Sequence, residues 1–277
     1  MISPSGSTMT GDFFARRRGP EPGLALFLNA GDPPLSMLGD VVGMLDELRV
    51  DCLELAVPFP DSCTDGPVIR RSAGRALQAG VDLDAVLAAL DSVRANRTHL
   101  RIALLADWSH TIKPASMPDF IARIADSAAD ALLVHGLPPR LRSDYHCAAH
   151  AHQLPIVTTC YARSSVTVQA EATAHATAYL YLVAHYGRSG SRPAAGFGEL
   201  TSLVGALRAQ ATAPVAVGFG VRDRRDVLAL AEIGADAAVI GSAGVERVER
   251  ALADHTDPVP QLAEFVRSLQ EHRNSRT

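Results

Sequence analysis

The feature that most restricts how this chain folds is a repeat of eight short apolar runs, at 24–30, 52–57, 100–106, 131–135, 155–160, 178–184, 214–219 and 237–241. Most are β-rich and bounded by Gly, Pro or Asp, as strands buried on both faces are. Between them lie segments of helical pattern, clearest at 35–48, 83–95, 117–128, 197–209 and 222–233. Leu83, Val86, Leu87, Leu90 and Val93 recur at the spacing of a helix with one buried face. Strand and helix in alternation predict a parallel sheet, and eight such units predict a closed (β/α)8 barrel.

The competing architecture is an open doubly wound sheet. Its first strand would normally lead into a Gly-rich turn, and Ala30-Gly31-Asp32-Pro33-Pro34 does not have the GxGxxG spacing. The 277 residues suit one barrel, which takes roughly 250. Residues 1–20, rich in Ser, Gly and Arg and lacking an apolar stretch, read as a flexible tail, and 21–277 as the barrel domain.

Composition narrows the function. The hydrophobic fraction of 47% supports a large core. A net charge of −4 gives no footprint for nucleic acid or a membrane surface. No apolar run approaches the roughly 18 residues a membrane-spanning helix needs. Cys52, Cys63, Cys147 and Cys160 show no CxxC spacing, which predicts free thiols and a cytoplasmic setting. Lys113 is the only lysine and follows the third strand in a loop, so Schiff-base chemistry has almost no candidate.

Two sets of residues carry chemistry. Three glycine-rich turns follow the last three strands: Gly187-Arg188-Ser189-Gly190, Gly218-Phe219-Gly220 and Gly241-Ser242-Ala243. One such turn is most simply a tight strand-to-helix connection. Three together on one barrel rim predict a backbone cradle for a phosphate, with Ser242 opening a helix whose free N–H groups favour an anion. The second set is acidic. Within Cys52-Leu53-Glu54-Leu55-Ala56-Val57, period two turns Glu54 opposite to Leu53 and Leu55, hence into the barrel. A carboxyl there is raised in pKa and suited to acid–base work near neutrality, unless a distant arginine pairs with it. Asp65, in Thr64-Asp65-Gly66-Pro67, and Asp61 before it read by themselves as turn formers.

Taken together, the chain resembles the α subunit family of tryptophan synthase. The stretches that carry the resemblance are Asn29-Ala30-Gly31-Asp32-Pro33, Leu53-Glu54-Leu55-Ala56-Val57-Pro58-Phe59, Asp65-Gly66-Pro67-Val68-Ile69, Leu137-Pro138-Pro139, Pro214-Val215-Ala216-Val217-Gly218-Phe219-Gly220 and Gly241-Ser242-Ala243. They occur in the family's order over about residues 24 to 254. The resemblance implies retro-aldol cleavage of indole-3-glycerol phosphate to indole and glyceraldehyde 3-phosphate, without metal or cofactor. It implies that Glu54 is the general acid–base and that Asp65 holds the indole N–H. By the same matching, Phe27 and Tyr181 line the indole pocket, and Gly190, Gly220, Gly241 and Ser242 hold the phosphate. A β-type partner subunit is implied as well. The alternative is an α-type subunit that is weakly catalytic or non-catalytic and serves to activate that partner. Other phosphate-binding barrels, such as isomerases of the histidine or tryptophan pathways, usually lack the Asp-Gly-Pro loop.

The chain also departs from the family's pattern. Asp107-Trp108-Ser109-His110 stands where Tyr and Asn-Pro are usual, His135-Gly136-Leu137-Pro138 where Pro-Asp-Leu-Pro is usual, and Ala184-His185-Tyr186-Gly187 where Ser-Arg precedes the glycine. Pro60-Asp61-Ser62 replaces Ser-Asp-Pro, and Asn29 replaces Thr. Several of these positions belong to the rim that meets the β subunit in the family, so a weakened or rewired contact, with release of free indole or use in a specialised pathway, is an expectation. His110, His135 and His185 at strand ends raise zinc ligation as an alternative chemistry. Histidines in loops are more often plain polar surface.

Overall fold

The computed structural model describes residues 13–14, 21–184, 196–218 and 220–270. Among these, eight parallel strands close into a barrel in sequence order, the first pairing with the last. The strands are β1 (Gly23–Asn29), β2 (Cys52–Ala56), β3 (Arg101–Asp107), β4 (Ala131–His135), β5 (Ile156–Tyr161), β6 (Tyr179–Val183), β7 (Val215–Gly218) and β8 (Ala237–Ile240). The helices are α1 (Leu38–Glu47), α2 (Pro67–Gln78), α3 (Leu83–Val93), α4 (Met117–Asp126), α5 (Arg142–Ala151), α6 (Val166–His175), α7 (Thr201–Gln210), α8 (Arg224–Glu232), α9 (Ser242–Ala253) and α10 (Pro258–Gln270). No helix of the described residues is long and apolar enough to cross a membrane. The expected alternation holds. Helix α2 was not among the clear helical segments of the sequence and lies between the second strand and the segment at 83–95. Its arginine-rich surface, with Arg70, Arg71 and Arg75, hides a narrow buried face of Ile69, Ser72 and Ala76.

Period two along the strands builds two separate cores. Leu24, Leu26 and Leu28 of β1, Leu53 and Leu55 of β2, and Ile102 and Leu104 of β3 face outward and are buried beneath the helices. Many inward positions are small (Ala25, Cys52, Ala103, Ala131, Ala178, Ala216 and Ala237), beside the larger Leu133, Val157 and Val239. Alanines alone do not fill a barrel interior, which normally takes bulky side chains to reach crystal-like density. Here Tyr179, Phe13 and Phe14 add volume to that of Leu133, Val157 and Val239. Phe14 meets Tyr179 edge-on at 5.2 Å between ring centroids, and Phe13 lies tilted at 5.6 Å. These two phenylalanines fall in the stretch read as a tail, yet they are 3% and 1% exposed and belong to the core.

Polar ties set the elements around the rim. Asp32, buried beyond the end of β1, receives both arms of Arg75 from α2 at 2.9 and 2.8 Å, and Arg75 also reaches Glu249 of α9 at 2.8 Å. Asn29 donates to the Ser72 hydroxyl of α2 at 2.9 Å. At the opposite end, Asp46 of α1 accepts from the backbone N–H groups of Thr98, His99 and Leu100, fixing the chain as it enters β3.

Because Phe14 fills space that alanines leave empty, Phe14→Ala is expected to cost about 3–5 kcal/mol of folding stability. Urea unfolding checks this; a loss under about 1 kcal/mol would mean the interior repacks without it.

Candidate functional site

The C-terminal ends of the strands surround a cavity of about 360 Å³. It is lined by Phe27, Glu54, Phe59, Asp65, His135 and Tyr181, and by Gly220, Arg222, Gly241, Ser242 and Ala243. This is the face on which (β/α)8 enzymes place their chemistry.

Glu54 points inward, as its strand period requires, and only 2% of it is exposed. Its neighbours in register are Phe27 of β1 and Ala103 of β3. The Tyr179 hydroxyl donates to Glu54 Oε1 at 2.6 Å. Burial raises the Glu54 carboxyl from an ordinary 4.5 to about 7, and the tyrosine hydrogen bond acts in the opposite direction without cancelling it. Both protonation states are therefore populated near neutral pH, as a proton-transfer group requires. The nearest arginine in sequence, Arg49, turns away and bonds His99 on the outside. Tyr179 is the partner that sequence reasoning missed. Its signal was available: Tyr179 and Tyr181 alternate with Leu180 and Leu182, so both tyrosines face inward.

Asp65 lies on the loop 57–66, just before Gly66, the residue that caps α2. It faces the same cavity as Glu54. Tyr181 senses both groups: burial holds its hydroxyl well above the usual tyrosine range, and the charges of Glu54 and Asp65 add to that. Asp61, by contrast, sits in the left-handed region with φ 57°, a backbone position that aspartate tolerates in turns. Tyr181 itself lies flat on Gly218. A Cβ at that glycine would come within 2.4 Å of the tyrosine ring, so β7 must end in glycine for the ring to lie there. Gly218 thus shapes the aromatic wall, whereas the turn it begins had been read only as part of an anion cradle.

Also on the cavity wall, Gly220 adopts φ 86°, open to glycine and strained for other residues. Gly241 precedes α9, and Ser242 and Ala243 open that helix at the cavity wall. The first N–H groups of a helix lack partners within it, and the helix dipole adds partial positive charge there. The Ser242 hydroxyl is buried with no hydrogen-bond partner among the described residues. A donor left in this state suits an anionic oxygen. Arg222 lines the same cavity and approaches Glu246 only at 3.9 Å. Gly190, the remaining expected phosphate ligand, lies outside the described residues, as does His185.

His110 and His135 do not converge on an open point. Both turn Nδ1 toward Asp107, at 2.7 and 2.9 Å. Among the described residues, no group of three or more His, Cys, Asp or Glu is arranged to hold a metal ion. All four cysteines are free.

Raising the Glu54 pKa has a consequence for stability. Between about 4.5 and 7 the folded chain binds more protons than the unfolded chain, so this group's contribution falls as pH rises through that window and the full cost remains above it. At ~1.4 kcal/mol per tenfold change in proton affinity, the cost is about 3 kcal/mol. Glu54→Gln is therefore expected to gain stability relative to the parent between pH 5 and pH 8, by urea unfolding; a pH-independent difference would contradict it. Tyr179→Phe removes the bond that lowers the Glu54 pKa and extends the upper edge of the window to higher pH, while the lower edge stays at the unfolded value.

The model of the family described as tryptophan synthase alpha chain matches residues 14–274. Among curated proteins, the chain is similar to the tryptophan synthase alpha chain of Gloeobacter violaceus, 34% identical over 88% of this chain and 87% of that one. The alpha chain of Actinobacillus succinogenes is 31% identical over 88% and 90%. Among solved structures, tryptophan synthase subunit alpha from Legionella pneumophila superposes with a TM-score of 0.80 at 25% identity, covering 90% of this chain and 92% of that one. A chain of the tryptophan synthase complex from Pyrococcus furiosus also gives 0.80 at 25% identity, covering 91% and 98%.

Proposed function

Since the chain belongs to the tryptophan synthase alpha chain family, and hence to a lyase-type family of tryptophan biosynthesis, we propose that it cleaves indole-3-glycerol phosphate to indole and glyceraldehyde 3-phosphate. The observation that carries this reading is a buried carboxyl with a pKa of about 7 sharing one cavity with an anion-receptive helix start.

In the proposed reaction the phosphate rests on the backbone N–H groups at Gly220, Gly241 and Ser242 and on the Ser242 hydroxyl, with Gly190 completing the set. This places the indole ring against Phe27 and Tyr181. Protonated Glu54 delivers its proton to ring carbon C3, and the positive charge that develops is shared with the ring nitrogen. Asp65 accepts the ring N–H and stabilises that charge. The bond from C3 to the glycerol side chain then breaks as the adjacent hydroxyl loses its proton. The Glu54 carboxylate takes that proton, so the residue ends the cycle as it began. Aldehyde and indole leave with no redox change and no need of a lysine. The free thiols fit a cytoplasmic enzyme.

We also propose a β-type partner subunit, with a contact altered from the family's usual one and with free indole or a specialised pathway as its outcome. The support is the name of the similar Pyrococcus furiosus complex and the unusual strand ends at the cavity mouth, Asp107 to His110 and His135. High-affinity copurification with a β subunit and mutual activation would count against the altered contact.

Incubating the chain with indole-3-glycerol phosphate and measuring indole tests the lyase reading. Glu54→Gln is expected to lower kcat at least ~10³-fold with the fold intact, and Asp65→Asn about 10²-fold. Undiminished turnover in Glu54→Gln would remove the mechanism. Ser242→Ala is expected to raise KM several-fold, with little effect on kcat.

A further inference from the structure

Two stretches that depart from the family's pattern, the ends of β3 and β4, are partners in the sheet: Asp107 pairs in register with His135. Their side chains also meet. Asp107 is buried and divides its carboxylate between two imidazoles. Oδ1 accepts from His110 Nδ1 at 2.7 Å and from the His110 backbone N–H at 2.9 Å, while Oδ2 accepts from His135 Nδ1 at 2.9 Å. Once Nδ1 of His135 is committed as a donor, Nε2 of the neutral ring is an acceptor. That nitrogen lies 3.1 Å from the Thr64 hydroxyl. Thr64 immediately precedes Asp65 in the chain.

The same loop is gripped at a second point. Phe59, near its start, lies nearly parallel to both imidazoles, with ring centroids 5.3 Å from His135 and 6.0 Å from His110. In the loop 57–66, the Phe59 ring thus meets both imidazoles, the Thr64 hydroxyl meets His135, and the Val57 N–H donates to the Leu105 carbonyl of β3 at 2.9 Å. Loops usually sit at the low-stability end of a fold, and a reacting group carried on one needs anchors.

We propose that Asp107 and His135 are positioning residues that hold the β2–α2 loop through Thr64, and so set Asp65 in the cavity. Asp107 fixes the tautomer and orientation of His135; His135 fixes Thr64; Thr64 fixes the backbone from which Asp65 projects. The loop is thereby held by the barrel's own strand ends. The catalytic part of this inference rests on the assignment of Asp65 to the reacting ring above.

The test combines amide hydrogen exchange of residues 58–66 with kcat and KM for indole formation. It compares the parent with Thr64→Val, Thr64→Ser and His135→Ala. Thr64→Val is nearly isosteric and serves even if His135→Ala folds poorly. Thr64→Val and His135→Ala are expected to speed exchange in the loop about tenfold and to lower kcat about tenfold with KM changed less than ~twofold. Thr64→Ser, which keeps the hydroxyl, is expected to retain parental exchange and kcat. Unchanged loop exchange in Thr64→Val, or equal losses in the Val and Ser variants, would overturn the proposal. If the parent makes no indole, the lyase assignment fails. The exchange series then decides the loop anchor separately: loss in Val with retention in Ser supports it, and equal behaviour overturns it.

Discussion

The enclosure of one carboxyl governs much of this structure. Glu54 sits buried inside a closed barrel, and among the described residues the Tyr179 hydroxyl donates to it. A carboxylate in such a place is held near neutrality because its charged form is disfavoured. That condition requires the rest of the barrel to be tight. An open sheet, or an interior with gaps for water, would let the group return to an ordinary carboxylate range.

The barrel achieves this by dividing its interior. The lower part is packed by alanines around an aromatic cluster of Phe13, Phe14 and Tyr179, and serves stability. The upper part is left open as the cavity. Tyr179 joins the two, since its ring belongs to the cluster and its hydroxyl reaches Glu54. Packing at the closed end thus bears on the proton affinity of the group at the open end, through one side chain and no conformational change.

The cavity wall combines two kinds of chemistry. Backbone N–H groups at a helix start, a buried serine hydroxyl and Arg222 favour negative charge, while Phe27 and the Tyr181 ring against Gly218 supply aromatic surface beside Glu54 and Asp65. The proposed substrate, with an anionic tail and an aromatic head, uses both. The Asp107–His135 pair adds a further layer, fixing the mouth on the side of the acidic loop.

The chain's own order of residues determined what depends on neighbours along the backbone. The alternation of apolar runs with helical segments specified the barrel. Period two in Cys52-Leu53-Glu54-Leu55-Ala56 specified that Glu54 faces inward. The glycines at 220 and 241 and Ser242 were legible as turns that open helices, because turn chemistry is local. Only the tertiary structure decided which distant groups meet. Tyr179 reaches Glu54 across 125 positions, His135 reaches Thr64 across 71, and Phe13 and Phe14 enter a core from a stretch with the composition of a tail. Helix α2 also became visible only there, since its three buried residues are interleaved with three arginines, two of which tie it to Asp32 and Glu249. The physical reason is the same in each case. Backbone periodicity tells which way a side chain points, whereas its partner depends on how the sheet closes, and closure depends on all eight strands at once.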